Sequence, residues 1–459
     1  MCLATSGLGQ DDSGRPGVNL LTRTAPKLLL TASILLAAGM WFYVSRVLVG
    51  HQKTEAAIQG NPRGNLSDLY PRWLGSRELL LHGRDPYSPA VTREIQVGYY
   101  GRPLDPSLPH DPHDEEAFAY PVYVAFLLAP AISLPFPLVQ EILRWVLAAL
   151  TVLSVVLWLR VVRWQHSLMT GTAVIVFTLG TFWVVQGIRL QQLTLLVAPM
   201  IAACLYLLIS NRQVACGILL ALAAVKPQIA FPLAAWLLLW ASTKLHQRWK
   251  FAVAFAVTLL ALVVAGEFLL PGWIREFYAA IISYRGYTRH QSPLDELVTP
   301  TLGIPLSIAI IAVVAVICWR ARKNSALDDH FGWTTSLVLA ANLLVIPTIA
   351  PYNQLLLLPG IFLLLRTWKH RQVNRTITVL RWIAVGCLAW PWTTAAGLTL
   401  LSFFTPAAQR FWQIPLWTSV LIPIPITACL GMFVYQVQRS RSLVGEGRFL
   451  VTEETGSSR

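Results

Sequence analysis

The sequence predicts an all-α protein that crosses a membrane many times, and two observations carry that prediction. Of its 459 residues, 55% are apolar and only 13% are charged, whereas roughly 25% are charged in an ordinary soluble domain. Several uncharged runs also reach the roughly 20 residues that a helix needs to cross a bilayer. The composition therefore excludes soluble, disordered, collagen-like and disulfide-stapled classes of protein.

The excess of basic residues gives information on orientation in the membrane. The net charge is +14, but Lys and Arg stand in short clusters between apolar runs, which is the pattern of a topology signal and not of a nucleic-acid-binding surface. Five of the six cysteines lie inside apolar runs. Neither a disulfide framework nor a cysteine metal site is therefore predicted, and nucleic acid is not an expected partner.

The apolar runs predict about twelve membrane segments. The first, Leu28–Val49, follows a basic stretch and has no small-residue cleavage site after it, so it is interpreted as a retained anchor with a cytoplasmic N-terminus. The further segments are 119–136, 138–159, 168–188, 192–210, 213–241, 250–270, 303–319, 333–350, 352–365, 377–396 and 413–436. The resulting regions are a cytoplasmic N-terminus (1–26), a first transmembrane helix (27–50), an extracytoplasmic loop (51–117), a multi-span domain (118–436) and a cytoplasmic tail (437–459).

The distribution of basic residues supports the second half of this map but not the first. With twelve spans, the basic clusters at 244–250, 320–323 and 366–375 all fall in the cytoplasm, as expected. The same count places Arg160 and Arg163 outside. An alternative map makes 119–136 a re-entrant or interfacial element and splits 213–241 at Lys226-Pro227.

The long loop 51–117 is the first candidate for a functional region, because it holds ten of the 22 carboxylates against seven Lys or Arg and long loops are commonly functional or disordered. An apolar and aromatic stripe within it predicts an amphipathic helix from about Leu69 to His82, stopped by Gly83. We expect this helix to lie on the outer membrane surface, with Arg72 and Arg77 beside lipid headgroups.

Asp68 stands at the start of that helix and has two interpretations. An Asp just before an apolar periodic run is a good helix N-cap. A carboxylate at the boundary between membrane and water could instead accept a proton from a sugar or lipid hydroxyl during group transfer. The spacing of residues does not distinguish between the two.

A second acidic cluster, His110–Glu116, contains two imidazoles and four carboxylates. A divalent-cation site is conceivable there. A solvated loop is the favoured interpretation, because no second ligand group stands at a distinctive spacing. No metal site is predicted.

Polar residues also interrupt the apolar sequence at membrane depth, where they are costly and mark candidate sites. The interruptions are Arg189–Gln192, Lys226-Pro227-Gln228 and Ala350–Gln354. A lysine at a broken helix suits an anion such as phosphate, although it could also extend to the headgroups. The amide side chains could serve only as hydrogen bonds between helices.

Several motifs occur in a fixed order along the chain. They are Asp68-Leu-Tyr-Pro-Arg-Trp with the later Gly83-Arg-Asp85-Pro86-Tyr87, then Phe118-Ala-Tyr120-Pro121, Leu190-Gln-Gln192-Leu-Thr, and Gly217 through Lys226-Pro227. Each motif is weak, but the ordered set resembles glycosyltransferase family 87, the DUF2029 group, over about residues 30–366. Gln191 stands where the family pattern has Gly, and the segment at Tyr352-Asn353 lacks the His that many relatives carry.

The resemblance implies a GT-C-like transferase that takes a hexose, usually mannose, from a polyprenyl-phosphate carrier and gives it to a lipid or glycan acceptor at the extracytoplasmic face of the cell membrane. Asp68 would be the general base, and Lys226, helped by Arg189, would stabilise the leaving phosphate. No cofactor is expected beyond this donor. Further expected substrate-binding residues are Gln192, Tyr352, Asn353, Arg72 and Tyr120.

A transporter or lipid flippase is the main alternative. Transporters tend to carry internal repeats with broken helices in corresponding halves. The one Lys-Pro break at Lys226 has no counterpart in the second half of the chain. A noncatalytic assembly partner is a third alternative that the sequence leaves open.

Overall fold

The computed structural model describes residues 16–58, 67–105, 107–108, 111–288, 292–347, 350–368, 375–405 and 410–437, and all regular structure within these ranges is helical. The N-terminal half contains α1 (Pro16–Phe42), α2 (Val49–Ile58), α3 (Tyr70–His82), α4 (Pro89–Tyr100), α5 (Val124–Leu128), α6 (Phe136–Val161), α7 (Leu168–Leu179), α8 (Phe182–Arg189), α9 (Thr194–Ile209) and α10 (Gln213–Ala223). The C-terminal half contains α11 (Pro227–Ser242), α12 (Leu245–Leu269), α13 (Trp273–Thr288), α14 (Pro293–Val298), α15 (Pro300–Ala321), α16 (Asp329–Val345), the 3-10 helix Pro351–Leu357, α17 (Leu358–Arg366), α18 (Arg375–Ser402) and a last helical segment, Ile414–Val437.

Six helical segments of the described chain are long and apolar enough to cross a membrane, or seven if the bent pair α7 and α8 counts as one span. The six are Ala25–Ile58, Phe136–Val161, Leu245–Leu269, Pro300–Ala321, Arg375–Ser402 and Ile414–Val437. Each overlaps a segment predicted from the sequence. The other predicted segments correspond to shorter or broken helices, so the count of about twelve spans is not confirmed.

Both helix breaks of the alternative map are present. The segment 119–136 contains only the five-residue α5 and the 3-10 turn Ala129–Ala131 before α6 begins. The segment 213–241 is divided, because α10 ends at Ala223 and α11 begins at Pro227. Proline at the first helical position lacks only an N–H that would have had no intrahelical partner, so it favours a new helix start.

The basic turns between helices meet at one end of the bundle. Arg366 on α17 donates to the carbonyl of Val162 after α6 (2.6 Å), and Arg248 on α12 donates to the carbonyl of Asn324 after α15 (3.2 Å). Ile209, the last residue of α9, lines a cavity beside Arg366. The sixteen residues of α9 separate this end from the turn that precedes Thr194 by about 24 Å. The basic residues at the end of α6 lie at this same end of the bundle as the other basic turns. The conflict in the twelve-span map, which placed them on the opposite side of the membrane, therefore disappears.

Helix α3 begins at Tyr70, one residue after the predicted start at Leu69. It is stopped by Gly83, as predicted, and the φ of 64° at this residue suits glycine. The indole of Trp73 donates to the carbonyl of Ala131 (3.0 Å), and the side chain is 6% exposed. Arg77 donates to the carbonyl of Ile132 (3.2 Å). The predicted headgroup contacts are not confirmed, since the stripe packs on the segment before α6.

Two amphipathic helices were not anticipated from the sequence. Helix α4 begins at the N-cap Ser88, whose hydroxyl accepts from the N–H of Val91, and it packs closely on α3. A Cβ atom at Gly98 would lie 1.8 Å from the hydroxyl of Tyr70, so this approach requires glycine. The other, α13, places Tyr284 within electrostatic range of the motif residues Asp68 and Tyr120.

Candidate functional site

Asp68 is held by the turn that follows α8. Its backbone N–H donates to the carbonyl of Leu190 (3.1 Å), and its carboxylate accepts a hydrogen bond from the side-chain amide of Gln192. The N-cap residue of α3 is Leu69, which makes no side-chain cap. Asp68 is therefore not the N-cap of α3, and its carboxylate is directed to a residue 124 positions along the chain.

Lys226 occupies the break between α10 and α11 and is 4% exposed. Its ammonium donates to the hydroxyl of Thr194 (2.5 Å) and to the side-chain oxygen of Asn353 (3.4 Å), and it lies 5.0 Å from the ring centroid of Tyr352. Thr194 in turn donates to Asn353 (2.8 Å). The lysine is enclosed by protein, so the alternative in which it extends to the headgroups does not fit the structure.

One turn brings the two predicted groups together. Gln192 holds Asp68, and Thr194, two residues later, holds Lys226. The Cα atoms of residues two apart are separated by at most about 7.6 Å. A carboxylate and an ammonium therefore flank the same short segment, which is the start of α9.

Arg72 adds a second cation to this side of the turn. Its guanidinium lies over the ring of Tyr120, 4.6 Å from the centroid. Burial lowers the pKa of Arg72, but the neighbouring Tyr120, Asp68, Glu116 and Tyr284 outweigh burial, so that its pKa lies above the ordinary value. Arg72 therefore stays charged.

Tyr284 on α13 is a member of the site that the sequence analysis missed. It lies within electrostatic range of Asp68, Arg72 and Tyr120. No motif contains it. The signal that could have identified it is the aromatic and charged pattern of residues 273–288, which predicts a helix too polar to span a membrane.

Arg189 does not join Lys226. Its charged neighbours are Arg144, Arg46 and Glu141, which belong to α6 and to the π-helical turn after α1. Of the predicted site residues, the structure groups Asp68, Arg72, Tyr120, Gln192, Lys226, Tyr352 and Asn353, and it places Arg189 with a different set of charges.

A small depression that is open to its surroundings adjoins Asn353. Its walls are mostly apolar. They include Leu343 on α16, Ile346 directly after that helix, and Pro423 from the last helical segment.

The acidic loop is organised by an ion pair. Arg102 donates to both carboxylate oxygens of Asp111, and this hydrogen bond, with that from the backbone N–H of Asp105, lowers the pKa of Asp111 to about 2. The hydroxyl of Tyr100 donates to the carbonyl of Asp114 (2.6 Å). Within the described ranges, no three His, Cys, Asp or Glu side chains converge as metal ligands, and His110 lies outside those ranges.

The chain matches a known protein family. The model of glycosyltransferase family 87 matches residues 118–347, which is half of the chain and includes Tyr120, Gln192 and Lys226. No curated protein matches the chain significantly. The helical membrane architecture and this match agree with the motifs found in the sequence, and the chain belongs to glycosyltransferase family 87 as a membrane glycosyltransferase.

Proposed function

We propose that this transferase moves a hexose, mannose in the first instance, from a polyprenyl-phosphate carrier to a lipid or glycan acceptor, with Asp68 as general base. The observation that carries the proposal is the turn 190–194, which holds a carboxylate through Gln192 and a buried ammonium through Thr194. Glycosyl transfer from a phosphate requires a base and an anion-binding group that lie close together, as these two do.

The reaction uses the two groups on opposite sides of the anomeric carbon. Asp68 accepts the proton of the acceptor hydroxyl as its oxygen attacks that carbon. The bond from the anomeric carbon to the phosphate oxygen breaks, and the electron pair leaves with the lipid phosphate. Negative charge on that phosphate grows in the transition state, where Lys226 and Arg72 stabilise it.

The surroundings of Lys226 support a phosphate lipid as donor. An ammonium carries three N–H donors, one more than the two that Thr194 and Asn353 accept. The mostly apolar depression beside Asn353 offers a surface that the start of the isoprenoid chain could contact. The two cations balance the phosphate charge, so the proposed step uses no metal or other cofactor.

The orientation is proposed from the distribution of charge. The basic turns after α6, α11, α15 and α17 gather at the end of the bundle opposite Asp68, and such turns collect in the cytoplasm. We therefore place Asp68 and the acidic loop at the extracytoplasmic face of the cell membrane.

Asp68→Asn tests the proposed base. We expect transfer of radiolabelled mannose from polyprenyl-phosphate mannose into a lipid extract to fall by a factor of about 10² to 10⁴, because the amide cannot accept the proton. Asp105→Asn, in the exposed part of the same loop, is the matched control and should retain transfer.

The variant should keep the thermal stability of the wild-type protein in detergent. A residual rate within tenfold of wild type would contradict the role of Asp68. Transfer of another hexose but not of mannose by the wild-type protein would correct the sugar and leave the family assignment intact.

A further inference from the structure

Gln191 has an unusual backbone conformation for its residue type. Its φ is 50°, in the left-handed region that favours glycine, and the residue is 0% exposed. Side chains with a Cβ atom rarely occupy this region. The surrounding contacts must hold the residue in place.

The side-chain amide of Gln191 uses all four of its hydrogen-bonding positions. Its oxygen accepts from the hydroxyl of Ser67 (2.6 Å) and from the side-chain amide of Gln140 (3.1 Å). Its nitrogen donates to the carbonyls of Ile188 (2.7 Å) and Arg189 (2.8 Å). A carboxamide with no remaining donor or acceptor has one orientation.

These bonds join three parts of the chain at the proposed base. Ser67 directly precedes Asp68, Gln140 lies in the first turns of α6, and the two carbonyls end α8. Asp68 itself is bound on either side of Gln191, by the carbonyl of Leu190 and the side chain of Gln192. Movement of Gln191 would therefore move both hydrogen-bonding groups of the turn that hold Asp68, the carbonyl of Leu190 and the side chain of Gln192.

We propose that Gln191 is a positioning residue that fixes Asp68 against the turn 190–192. Its effect on catalysis rests on the proposed function, whereas its effect on the position of Asp68 does not. Lys226 is held separately, by Thr194 and Asn353. Loss of Gln191 should therefore lower kcat and leave the KM for donor nearly unchanged.

Gln191→Gly is the primary test, because glycine adopts the left-handed conformation without strain while all four side-chain bonds are lost. We expect amide hydrogen exchange of residues 68–69 and 190–192 to accelerate at least tenfold. We expect kcat for mannose transfer to fall by about 10- to 100-fold, since small misplacements of catalytic groups have effects of this size.

Ser67→Ala gives a milder second variant, which removes the bond to the Gln191 side chain together with the longer contacts of the hydroxyl with the carbonyl of Leu190 (3.5 Å) and the N–H of Leu69 (3.3 Å). It should show the same two effects to a smaller degree, and the effect of the double variant should fall short of the sum of the two single effects, because both changes break the bond between Ser67 and Gln191. Gln213→Ala, which breaks a side-chain bond to the carbonyl of Gln247 at the opposite end, is the control and should change neither measurement.

Unchanged exchange at residues 68–69 in Gln191→Gly would overturn the positioning role. Faster exchange with wild-type kcat would overturn its catalytic relevance. A rise in the KM for donor with constant kcat would also contradict the proposal. If the wild-type protein transfers no sugar, the proposed function fails, and the exchange measurement still decides whether Gln191 positions Asp68.

Discussion

Replacing Lys226 by Met separates catalysis from stability, because activity should fall strongly while stability changes little. The ammonium is almost fully buried, with Thr194 and Asn353 as acceptors. Met fills a similar apolar volume and carries no charge. The bond from Thr194 to Asn353 (2.8 Å) remains in the variant, so Asn353 keeps a donor.

The expected change in stability is small. Loss of a hydrogen bond to a charged group costs about 1.5–3 kcal/mol. Removing a buried charge in favour of an apolar side chain recovers about 1–4 kcal/mol of desolvation. The two contributions oppose each other, so we expect the free energy of unfolding of Lys226→Met to lie within about 2 kcal/mol of wild type.

The expected change in activity is large. A preorganised group that stabilises developing charge contributes about 2.7–4 kcal/mol, which is a factor of about 10² to 10³ in kcat. Single-turnover transfer from polyprenyl-phosphate mannose, with thermal unfolding in the same detergent, measures both quantities. Lys244→Met changes an exposed lysine at the opposite end and is the matched control.

Two outcomes would refute this reasoning. Transfer by Lys226→Met within threefold of wild type would mean that the ammonium does not stabilise the leaving group. A fall in activity accompanied by an equal loss of folded protein would mean that Lys226 has a structural role only.

Further predictions concern orientation and the acidic loop. Ser107→Cys should react with an impermeant maleimide on intact cells, and Ser242→Cys should react only after permeabilisation. The reverse pattern of labelling would mean that the protein has the opposite topology. Because Arg102 lowers the pKa of Asp111 to about 2, the ion pair should stabilise the loop fully above about pH 4 and be lost as the pH falls through 2. Pepsin should therefore cleave the wild-type chain within residues 101–116 increasingly as the pH falls from about 4 to 2. The Arg102→Gln variant should be cleaved there already at pH 5. Equal cleavage of wild type and variant at pH 5 would contradict the role of the ion pair.

Local sequence patterns predicted many features of the helices correctly. Uncharged runs located all six long apolar segments, since crossing a bilayer requires about 20 apolar residues. The stop at Gly83 and the break at Lys226-Pro227 are also local, because each depends on the backbone of one or two residues. The short helices between residues 119 and 366 were harder to count, because hydrophobicity alone does not show where a helix bends or ends.

The sequence offered two interpretations of Asp68, and spacing alone could not choose between them. The tertiary structure shows that Leu69 is the N-cap and that the carboxylate meets Gln192, 124 residues away. The same applies to Lys226, whose partner Asn353 is 127 residues distant. Such pairs depend on how helices pack, and no local periodicity records that packing.

Composition by itself determined that this chain is a membrane protein, and the ordered motifs indicated its family. The tertiary structure decided which of the motif residues share a site: it joined Asp68 to Lys226 through one turn and separated Arg189 from both. The physical reason is that solvent preference is a property of each residue, whereas a catalytic arrangement is a property of distances between residues far apart in the chain.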